Sequence, residues 1–422
     1  VLYLDQLNLM RIIYLHQFFN TPTMSGGVRS YDIANSLVKN GHTVHMITSI
    51  RDTSDKDGWS FTNEDGINTH WLGLSYSNKL NYLKRLKSFF LFAFYSAKKG
   101  SNLEGDIVYA SSTPLTIAIP ALYISWRKSI PMVFEVRDLW PEVPIAIGVL
   151  KNPFIKYLAK TLEIYTYKKS EAVVALSQGM KNGVVDAGYD ENRVFVIPNF
   201  SNRELFNSEL TGEKFRIKRK WLKDSPLLVY TGTFGMINGV TYLVDIAEQL
   251  LFLNSNVKIL LLGHGSEFSM VNSYAREKNV LNTNLFIEPS IKKEELPEVL
   301  AAADLASNIV ISVPELWNNS ANKFFDALAS GTPVLINGKG WQADLINKTK
   351  SGIVTYGMSL EQSAKKIDDF LHNKNLLKDS SKNALNLSKE CFDKDKLVKQ
   401  VEQVLYFSLN HKGMQPSKLN LK

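Results

Sequence analysis

The chain has 422 residues, of which 45% are hydrophobic and 21% are charged. This length is too great for one ordinary core, so we predict two domains of roughly 200 residues each, and the composition excludes a disordered or fibrous protein. The formal net charge of +8 favours an anionic partner, and charge alone leaves open nucleic acid, acidic lipid or a phosphorylated substrate. The single cysteine, Cys391, can form neither an intrachain disulfide nor a zinc cluster, which favours the cytoplasm.

The ends of the chain and its apolar runs bear on membrane topology. No apolar run reaches the roughly 18 residues of a spanning helix, and residues 1–9 lack the pattern of a secretory signal. Met10 directly precedes a predicted strand, so we interpret residues 1–9 as an upstream extension and residues 410–422 as a frayed tail. We therefore predict a protein that does not cross a membrane.

Short apolar runs alternate with amphipathic stretches through the first half of the chain. A helix predicted over residues 29–40 stops at Gly41 and hands over to a strand that begins at Thr43, which makes a βαβ unit. Such units predict a parallel sheet covered by helices on both faces, with ligands at the carboxyl ends of the strands. The predicted strands are residues 12–15, 44–48, 107–110, 132–136, 172–176 and 194–197.

The same alternation restarts after a polar stretch at residues 201–224. Six further strands are predicted at residues 227–231, 257–262, 285–288, 305–309, 333–336 and 352–355. We therefore predict two Rossmann-like, doubly wound α/β domains, at residues 10–205 and 206–385, followed by a C-terminal helix and tail at residues 386–422. We expect the two domains to face a central cleft in which each offers strand-end loops to one ligand.

The strongest group of candidate residues surrounds one helix of the second half. Ser320 is a good N-cap for this helix, and Gly331 is expected to end it. Lys323 adds a positive charge to a helix end whose free N–H groups attract anions, and Asn322 and Asp326 lie one turn apart on one face. The pattern suits a diphosphate beside a ribose, and the alternative is a capped surface helix with solvated charges.

Two glycine-bearing loops follow predicted strands of the second half. The first contains Gly232, Thr233 and Gly235, where glycine lets backbone N–H groups approach phosphate oxygens. The second contains His264, which could line the same ligand site. The alternative is that both loops are ordinary βα turns.

Candidate residues of the first half also follow predicted strands. Two adjacent glycines precede the first helix, where they would admit a ligand or a close domain contact. An arginine and an aspartate end the fourth strand and point toward the ligand site, unless they only brace the loop. The candidate acceptor or interdomain residues are Gly26, Gly27, Arg29, Arg137 and Glu142, with Asp138 as a catalytic candidate.

Six motifs occur in a fixed order over nearly the whole chain. They are Gly26-Gly27, Gly41-His42-Thr43-Val44, Val196-Ile197-Pro198-Asn199, Gly232, Gly263-x-Gly265 and the segment from Ala327 to Val334. Their order and spacing resemble glycosyltransferase family 4 of the GT-B fold. The resemblance implies transfer of a sugar from a nucleotide donor, here predicted as a UDP-sugar, with retention of anomeric configuration and with no metal or cofactor.

The resemblance also implies roles for individual residues. In the family, a carboxylate pair eight positions apart flanks the donor, the first contacting the sugar and the second the ribose; Asn318 and Asp326 match those positions. The family's diphosphate-binding Arg and Lys are replaced by Thr233 and Asn238, so we assign that role to Lys323, loop N–H groups and helix dipoles. Lys323 is accordingly a catalytic candidate.

A second family feature concerns the acceptor. Many relatives carry a His where Arg137 stands, followed by an Asp that Asp138 matches. The resemblance implies that the leaving phosphate helps to deprotonate the acceptor, and we predict that Asp138 positions the acceptor or accepts its proton.

Three segments further resemble a bacterial subgroup that builds O-antigen and capsule repeats, some of whose members transfer N-acetyl-L-fucosamine. These are residues 138–142, 232–235 and 319–326, and the resemblance implies a lipid-linked saccharide acceptor. The basic, aromatic segment from Lys79 to Lys99 is expected to lie on anionic lipid at the inner face of the plasma membrane. The alternative is a core helix with a solvated basic edge.

Two other functions remain open. One is a nucleotide-sugar epimerase of the same fold, which needs no acceptor. The other is a non-catalytic protein that binds anionic surfaces or nucleic acid through its charge, although the sequence contains no recognisable nucleic-acid motif. We therefore expect a nucleotide-sugar donor, a lipid-linked acceptor and no nucleic-acid partner.

Overall fold

A computed structural model describes residues 9–24, 26–50, 58–74, 82–206 and 210–410, with the side chains of residues 82–85 excepted. The chain divides into two compact units. The first comprises Val1–Thr21, Val28–Pro198 and Asp395–Lys422, and the second comprises Pro22–Gly27 and Asn199–Lys394. The sequence predicts the boundary at residues 205 and 206, a few residues beyond Pro198.

The first unit is a mostly parallel sheet with helices between its strands. In chain order its elements are β1 (Arg11–Leu15), α1 (Arg29–Lys39), β2 (Thr43–Ile50), β3 (Gly58–Glu64), β4 (Ile67–Gly73), α2 (Tyr82–Ser101), β5 (Ile107–Ser111), α3 (Ala118–Lys128), β6 (Met132–Val136), α4 (Glu142–Ala146), α5 (Pro153–Lys169), β7 (Ala172–Ala175), α6 (Gln178–Asp186) and β8 (Val194–Val196). The strand order is β3-β4-β2-β1-β5-β6-β7-β8. Strands β5, β6 and β7 are buried along their whole length, as expected of a parallel sheet covered on both faces.

The edge strand β3 and its neighbour β4 form a hairpin that the apolar-run pattern does not predict. β3 pairs with β4 in antiparallel register from Gly58↔Gly73 to Glu64↔Ile67. Asp65 and Gly66 make the turn with φ of +50° and +90°, a backbone that Asp-Gly pairs favour in two-residue hairpins. The exposed strand β3 is largely polar, so it carries no buried apolar run.

The second unit is a parallel sheet of six strands. Its elements are α7 (Glu213–Ile217), β9 (Leu227–Thr231), α8 (Thr241–Phe252), β10 (Lys258–Leu262), α9 (Phe268–Glu277), β11 (Leu285–Glu288), α10 (Leu296–Ala302), β12 (Leu305–Asn308), α11 (Asn322–Ala329), β13 (Val334–Ile336), α12 (Trp341–Thr349), β14 (Gly352–Val354), α13 (Leu360–His372) and α14 (Lys374–Cys391). The order is β11-β10-β9-β12-β13-β14, with every neighbouring pair parallel. The six strands agree with those predicted from the apolar runs.

The last helix, α15 (Lys394–Asn410), returns to the first unit. Its Glu402 Oε1 lies 2.8 Å from His42 Nε2, and His42 Nδ1 accepts a hydrogen bond from the backbone N–H of Met10 at 3.1 Å. Phe407 packs edge-on against Phe195, with ring centroids 5.5 Å apart. Because these contacts join residues far apart in the sequence, helical periodicity alone does not assign α15 to a unit.

Within the part of the chain described here, no helix combines the length and the apolar character needed to span a bilayer.

Candidate active site

The carboxyl ends of β9 and β12 mark the point where the strand order of the second unit reverses. β9, β10 and β11 follow one another toward one edge of the sheet, and β12, β13 and β14 toward the other. In parallel α/β sheets, ligands bind in the crevice outside the carboxyl ends of such a pair. The loop after β9 carries the predicted residues 232–235, and the loop after β12 leads into α11.

The side chain of Lys323, in the first turn of α11, reaches back over the loop after β9. Its Nζ lies 4.2 Å from the ring centroid of Tyr230 and donates to Asn238 Oδ1 at 3.3 Å. Burial lowers the pKa of Lys323 to about 7, and no charged group among the described residues offsets that effect. Lys323 Nζ therefore has neutral neighbours and no counter-ion among the described residues, as expected where an anionic ligand completes a site.

Gly232 leaves the space that this lysine occupies. Its φ is +149°, and a Cβ built on it would lie 3.2 Å from Lys323 Nζ and 3.3 Å from the hydroxyl of Tyr230. A side chain here would be strained and would crowd the ammonium group. The glycine thus keeps the ammonium group close to the loop backbone.

The second glycine-bearing loop packs directly on the first. The N–H of Phe234 donates to the carbonyl oxygen of His264 at 3.0 Å. A Cβ on Gly263 would lie 1.9 Å from the Gly232 carbonyl oxygen, and one on Gly265 would lie 2.3 Å from the Phe234 carbonyl oxygen. Close packing of the two loops therefore explains both glycines, and the exposed His264 ring lies against Phe268 at 5.3 Å.

The predicted cap of α11 is wrong. The N-cap residue is Ala321, and no side chain caps the helix. Ser320 instead contacts Asn199: its Oγ accepts from the Asn199 backbone N–H at 3.4 Å, and its carbonyl oxygen accepts from the Asn199 side-chain amide. The end of the helix is confirmed, because Gly331 follows Ser330 with φ of +72°. Long-range contact has displaced the local capping preference of serine.

Asp326, the predicted ribose ligand, lies in a buried ion pair. Its Oδ2 is 2.5 Å from Lys293 Nζ, its Oδ1 accepts from Ser201 Oγ at 3.0 Å, and the residue is only 4% exposed. Both carboxylate oxygens are therefore engaged by the protein. The structure shows a bracing role for Asp326, and contact with a ribose stays a prediction.

The two predicted asparagines of this region, Asn318 and Asn322, are both partly buried. Asn318 ends the 3-10 helix Pro314–Asn318. Asn322 packs on Gly27, where a Cβ would lie 2.1 Å from Asn322 Nδ2; Gly27 belongs to the segment Pro22–Gly27 of the same unit. The contact of Gly27 with Asn322 lies within one unit, so both predicted uses of the glycine pair, a ligand or a close domain contact, stay predictions. Gly26 has φ of +127°, which favours glycine.

In the first unit, the strand order reverses between β1 and β5. His16 directly follows β1, and its Nδ1 lies 2.7 Å from Ser30 Oγ and 3.3 Å from Arg137 Nη1. The backbone N–H of Arg137 donates to Ser112 Oγ, just beyond β5, at 3.0 Å. Residues that follow three strands therefore meet at one edge of the sheet, as the prediction for Arg137 requires.

Asp138 lies half-buried beside this cluster. Burial raises the pKa of its carboxyl to about 6, against the opposing effect of the Arg137 charge. A carboxylate with a pKa near neutrality is suited to accept a proton during a reaction. The catalytic role of Asp138 stays a prediction.

Arg29 does not lie in an open acceptor site. Its Nε donates to Glu135 Oε1 at 2.9 Å, and its two terminal nitrogens donate to the carbonyl oxygens of Pro198 at 2.7 Å and Ile197 at 3.1 Å. The side chains of Arg29 and Glu135 are almost fully buried. The acceptor part of the prediction for Arg29 is therefore corrected to a structural role at the end of the first unit, and the interdomain part stays a prediction.

Two family models match successive parts of the chain. Glycosyltransferase Family 4 matches residues 26–205, and Glycosyl transferases group 1 matches residues 212–387. The chain belongs to the GT-B glycosyltransferases.

Several relatives of this glycosyltransferase share low but consistent identity. It is 23% identical to an uncharacterized glycosyltransferase of Methanocaldococcus jannaschii over 60% of the chain, and 24% identical to the alpha-galactosylglucosyldiacylglycerol synthase of Streptococcus pneumoniae over 58%. These matches span 63% of each relative. The Anabaena protein HepE, solved in complex with UDP and glucose, has a TM-score of 0.69 at 16% identity, covering 94% of this chain and 99% of that one.

Sequence reasoning missed His16 and Lys293, which contact predicted site residues, and the buried Gln17 next to His16. His16 could have been found, because it directly follows a strand at a reversal of strand order. Gln17 is buried, and neither polar atom of its side chain has a hydrogen-bond partner among the described residues. Lys293 had no local signal, since it lies 33 positions before Asp326.

Of the remaining predicted residues, Thr233 is exposed in the loop after β9, and Gly235 follows it in the same loop. Glu142 begins α4 and pairs with Lys160, which also lies 2.8 Å from Glu163 Oε2. Their ligand-binding roles stay predictions.

Proposed function

We propose that this glycosyltransferase transfers a sugar from a UDP-sugar donor to a lipid-linked or glycan acceptor, with retention of anomeric configuration, in the synthesis of a surface polysaccharide. The observation that carries the proposal is Lys323, a partly buried ammonium group with neutral neighbours at the strand-order reversal of the second unit. The Anabaena structural neighbour was solved in complex with UDP and glucose, and the Streptococcus relative is named an alpha-galactosylglucosyldiacylglycerol synthase.

The reaction requires a site that stabilises the negative charge of the leaving diphosphate. As the bond from the anomeric carbon to the diphosphate oxygen breaks, electrons pass to the diphosphate and the sugar becomes oxocarbenium-like. Lys323 and the N–H groups of the loop after β9 would stabilise the leaving group, as fixed donors do in other preorganised sites. The acceptor hydroxyl forms the new bond and releases its proton to the leaving phosphate or to Asp138.

For the donor sugar we propose an N-acetylated deoxyhexosamine. Asn318 stands where the family pattern has an acid, so an amide would face the sugar in place of a carboxylate. An amide can both donate and accept hydrogen bonds, which fits the proposed N-acetylated deoxyhexosamine. No metal or cofactor enters this scheme.

We further propose that the protein works in the cytoplasm at the inner face of the plasma membrane. The predicted docking segment, Lys79 to Lys99, coincides with α2, although residues 79–81 lie outside the described residues. Lys87 and Lys98 are exposed on this helix beside Phe90 and Phe94, which is the mixture expected of a peripheral membrane segment.

A screen of nucleotide sugars tests the proposal. Thermal shift should show stabilisation by UDP and by one or more UDP-sugars, because a ligand that binds only the folded protein raises its melting temperature. Mass spectrometry should then show sugar transfer that depends on an added lipid-linked acceptor. Conversion of the nucleotide sugar without an acceptor would indicate the epimerase, and no stabilisation by any nucleoside diphosphate would overturn the donor site.

A further inference from the structure

Helix α5 exposes an apolar stripe on its solvent side. Phe154, Tyr157, Leu158 and Tyr165 recur at the helical spacing of one face, and all four are exposed, with Tyr157 at 68%. A surface helix normally exposes its polar face to water, whereas this helix exposes three aromatic rings on one face. An exposed apolar stripe of this kind marks an interaction surface.

The neighbouring helices expose aromatic rings as well. α3 packs between α2 and α5, and it exposes Tyr123 and Trp126, the latter at 73%, with ring centroids 6.0 Å apart. α2 exposes Phe94 and Tyr95, with ring centroids 5.5 Å apart. Three adjacent helices therefore contribute to one layer of exposed rings, which we call the aromatic face. It comprises Phe90, Phe94, Tyr95, Tyr123, Trp126, Phe154, Tyr157, Leu158 and Tyr165.

The exposed charges of these three helices are basic. Their sequences contain eleven Lys and Arg residues and one carboxylate, Glu163, and Glu163 is buried. Lys168 and Lys169 are exposed at the end of α5, and Lys169 Nζ lies 5.7 Å from the ring centroid of Tyr165. Basic side chains thus accompany the aromatic face without exposed acidic residues from the same helices.

We propose that the aromatic face is a docking surface for an anionic lipid bilayer, with the rings of α3 and α5 entering the headgroup region. The inference deepens the membrane part of the proposed function, on which it rests, by extending the contact from α2 to three helices. Trp and Tyr favour the membrane interface, where an apolar ring and a polar edge are both accommodated. Basic side chains add attraction to anionic headgroups.

The charge pattern favours a bilayer over a second copy of the chain. In a symmetric dimer the same patch meets itself, so the exposed basic residues of two aromatic faces would oppose one another, and the three helices expose no carboxylate to pair with them. Like charges brought together in this way disfavour association. An anionic bilayer satisfies both the rings and the basic residues.

Vesicle co-sedimentation of the full chain, without donor or acceptor, tests the proposal. The protein should bind vesicles of equimolar phosphatidylcholine and phosphatidylglycerol and should not bind phosphatidylcholine alone. The double variant Phe154→Ser/Tyr157→Ser should bind the anionic vesicles at least about tenfold more weakly, because it removes apolar area that would leave water. Lys168→Glu/Lys169→Glu should also weaken binding by about tenfold or more.

Matched controls come from the second unit. Phe252, exposed at 71%, gives the variant Phe252→Ser, and the exposed Lys218 and Lys220 give Lys218→Glu/Lys220→Glu with the same change in net charge. Both should bind vesicles like the unmodified protein, and all variants should keep its affinity for UDP, which separates this test from that of the donor site. The proposal would be overturned if the unmodified protein did not bind anionic vesicles, or if the control variants lost as much vesicle binding as the α5 variants. It would also be overturned if the protein formed a dimer that only the α5 variants dissociate.

Discussion

The buried ion pair between Lys293 and Asp326 allows a quantitative test of how the candidate donor region is held together. The side chains of both residues are less than a tenth exposed. Replacing Asp326 by Asn leaves a buried ammonium group without its counter-ion, and breaking such a pair costs about 3–5 kcal/mol. Lys293→Met should cost a similar amount, because it leaves the carboxylate buried with Ser201 as its remaining partner.

The double variant is the informative measurement. Lys293→Met/Asp326→Asn removes both charges. Its loss of unfolding free energy should therefore be smaller than the sum of the losses in the two single variants, by a coupling free energy of about 2 kcal/mol or more. Urea unfolding followed by circular dichroism gives these free energies. Breaking the exposed pair Lys365–Asp369, whose side chains are 58% and 60% exposed, should cost under about 1 kcal/mol. Single losses as small as that of the exposed pair would refute the bracing role of Asp326.

Three further predictions follow from titrating groups. Burial lowers the pKa of Lys323 to about 7 in the free protein, and a bound diphosphate would favour its protonated form. The affinity for UDP should therefore fall as pH rises from 7 to 9. Lys323→Gln should abolish that pH dependence in calorimetric titrations. Asp138 must be ionised to accept a proton, so kcat/KM should rise with pH through about 6. If Asp138→Asn shows the same rise of kcat/KM on the acidic side of the profile, its proposed role is contradicted. Burial raises the pKa of Glu135, but the charge of Arg29 is the main opposing effect, and the net result is a pKa of about 2. The pair therefore stabilises the fold above the ordinary Glu pKa, and this stability is lost as pH falls through about 2. Glu135→Gln should cost about 3 kcal/mol of stability at pH 7, and an equal cost at pH 2 would contradict this account.

The sheets could be predicted from the sequence because their strands are buried on both faces. Runs such as residues 107–110 and 132–136 are continuous stretches of apolar residues, which is how strands of a covered parallel sheet read. The hairpin of β3 and β4 escaped that rule because β3 is exposed and polar. Its Asp65-Gly66 turn was nevertheless a usable signal.

The candidate donor site could be predicted only in part. Lys323 was predicted because its place at the start of a helix can be recognised from the neighbouring residues. The partners of Asp326 could not be recognised in this way, since Lys293 and Ser201 are distant in sequence and are brought to it by the fold. Ser320 was misassigned for the same reason: a local preference for capping gave way to contacts with Asn199.

The first unit shows the same limit. Arg137 and Asp138 were predicted from their place at the end of a strand, and the structure adds His16, which comes from a different strand end. Arg29 has the chemistry of a ligand-binding residue, but its position opposite Glu135 is set by the pairing of β1, β5 and β6. Residue type and local spacing do not reveal which charged groups the fold will bury together.

Isothermal titration with UDP tests the central claim most directly, because it measures the proposed diphosphate site without requiring the donor sugar or the acceptor to be known. The unmodified protein should bind UDP, and Lys323→Gln should bind it about 10- to 100-fold more weakly, as expected for loss of a charge-assisted contact of about 1.5–3 kcal/mol. Lys220→Gln, an exposed lysine of the second unit, should bind UDP like the unmodified protein. Unchanged affinity in Lys323→Gln, or no binding of UDP by the unmodified protein, would contradict the account.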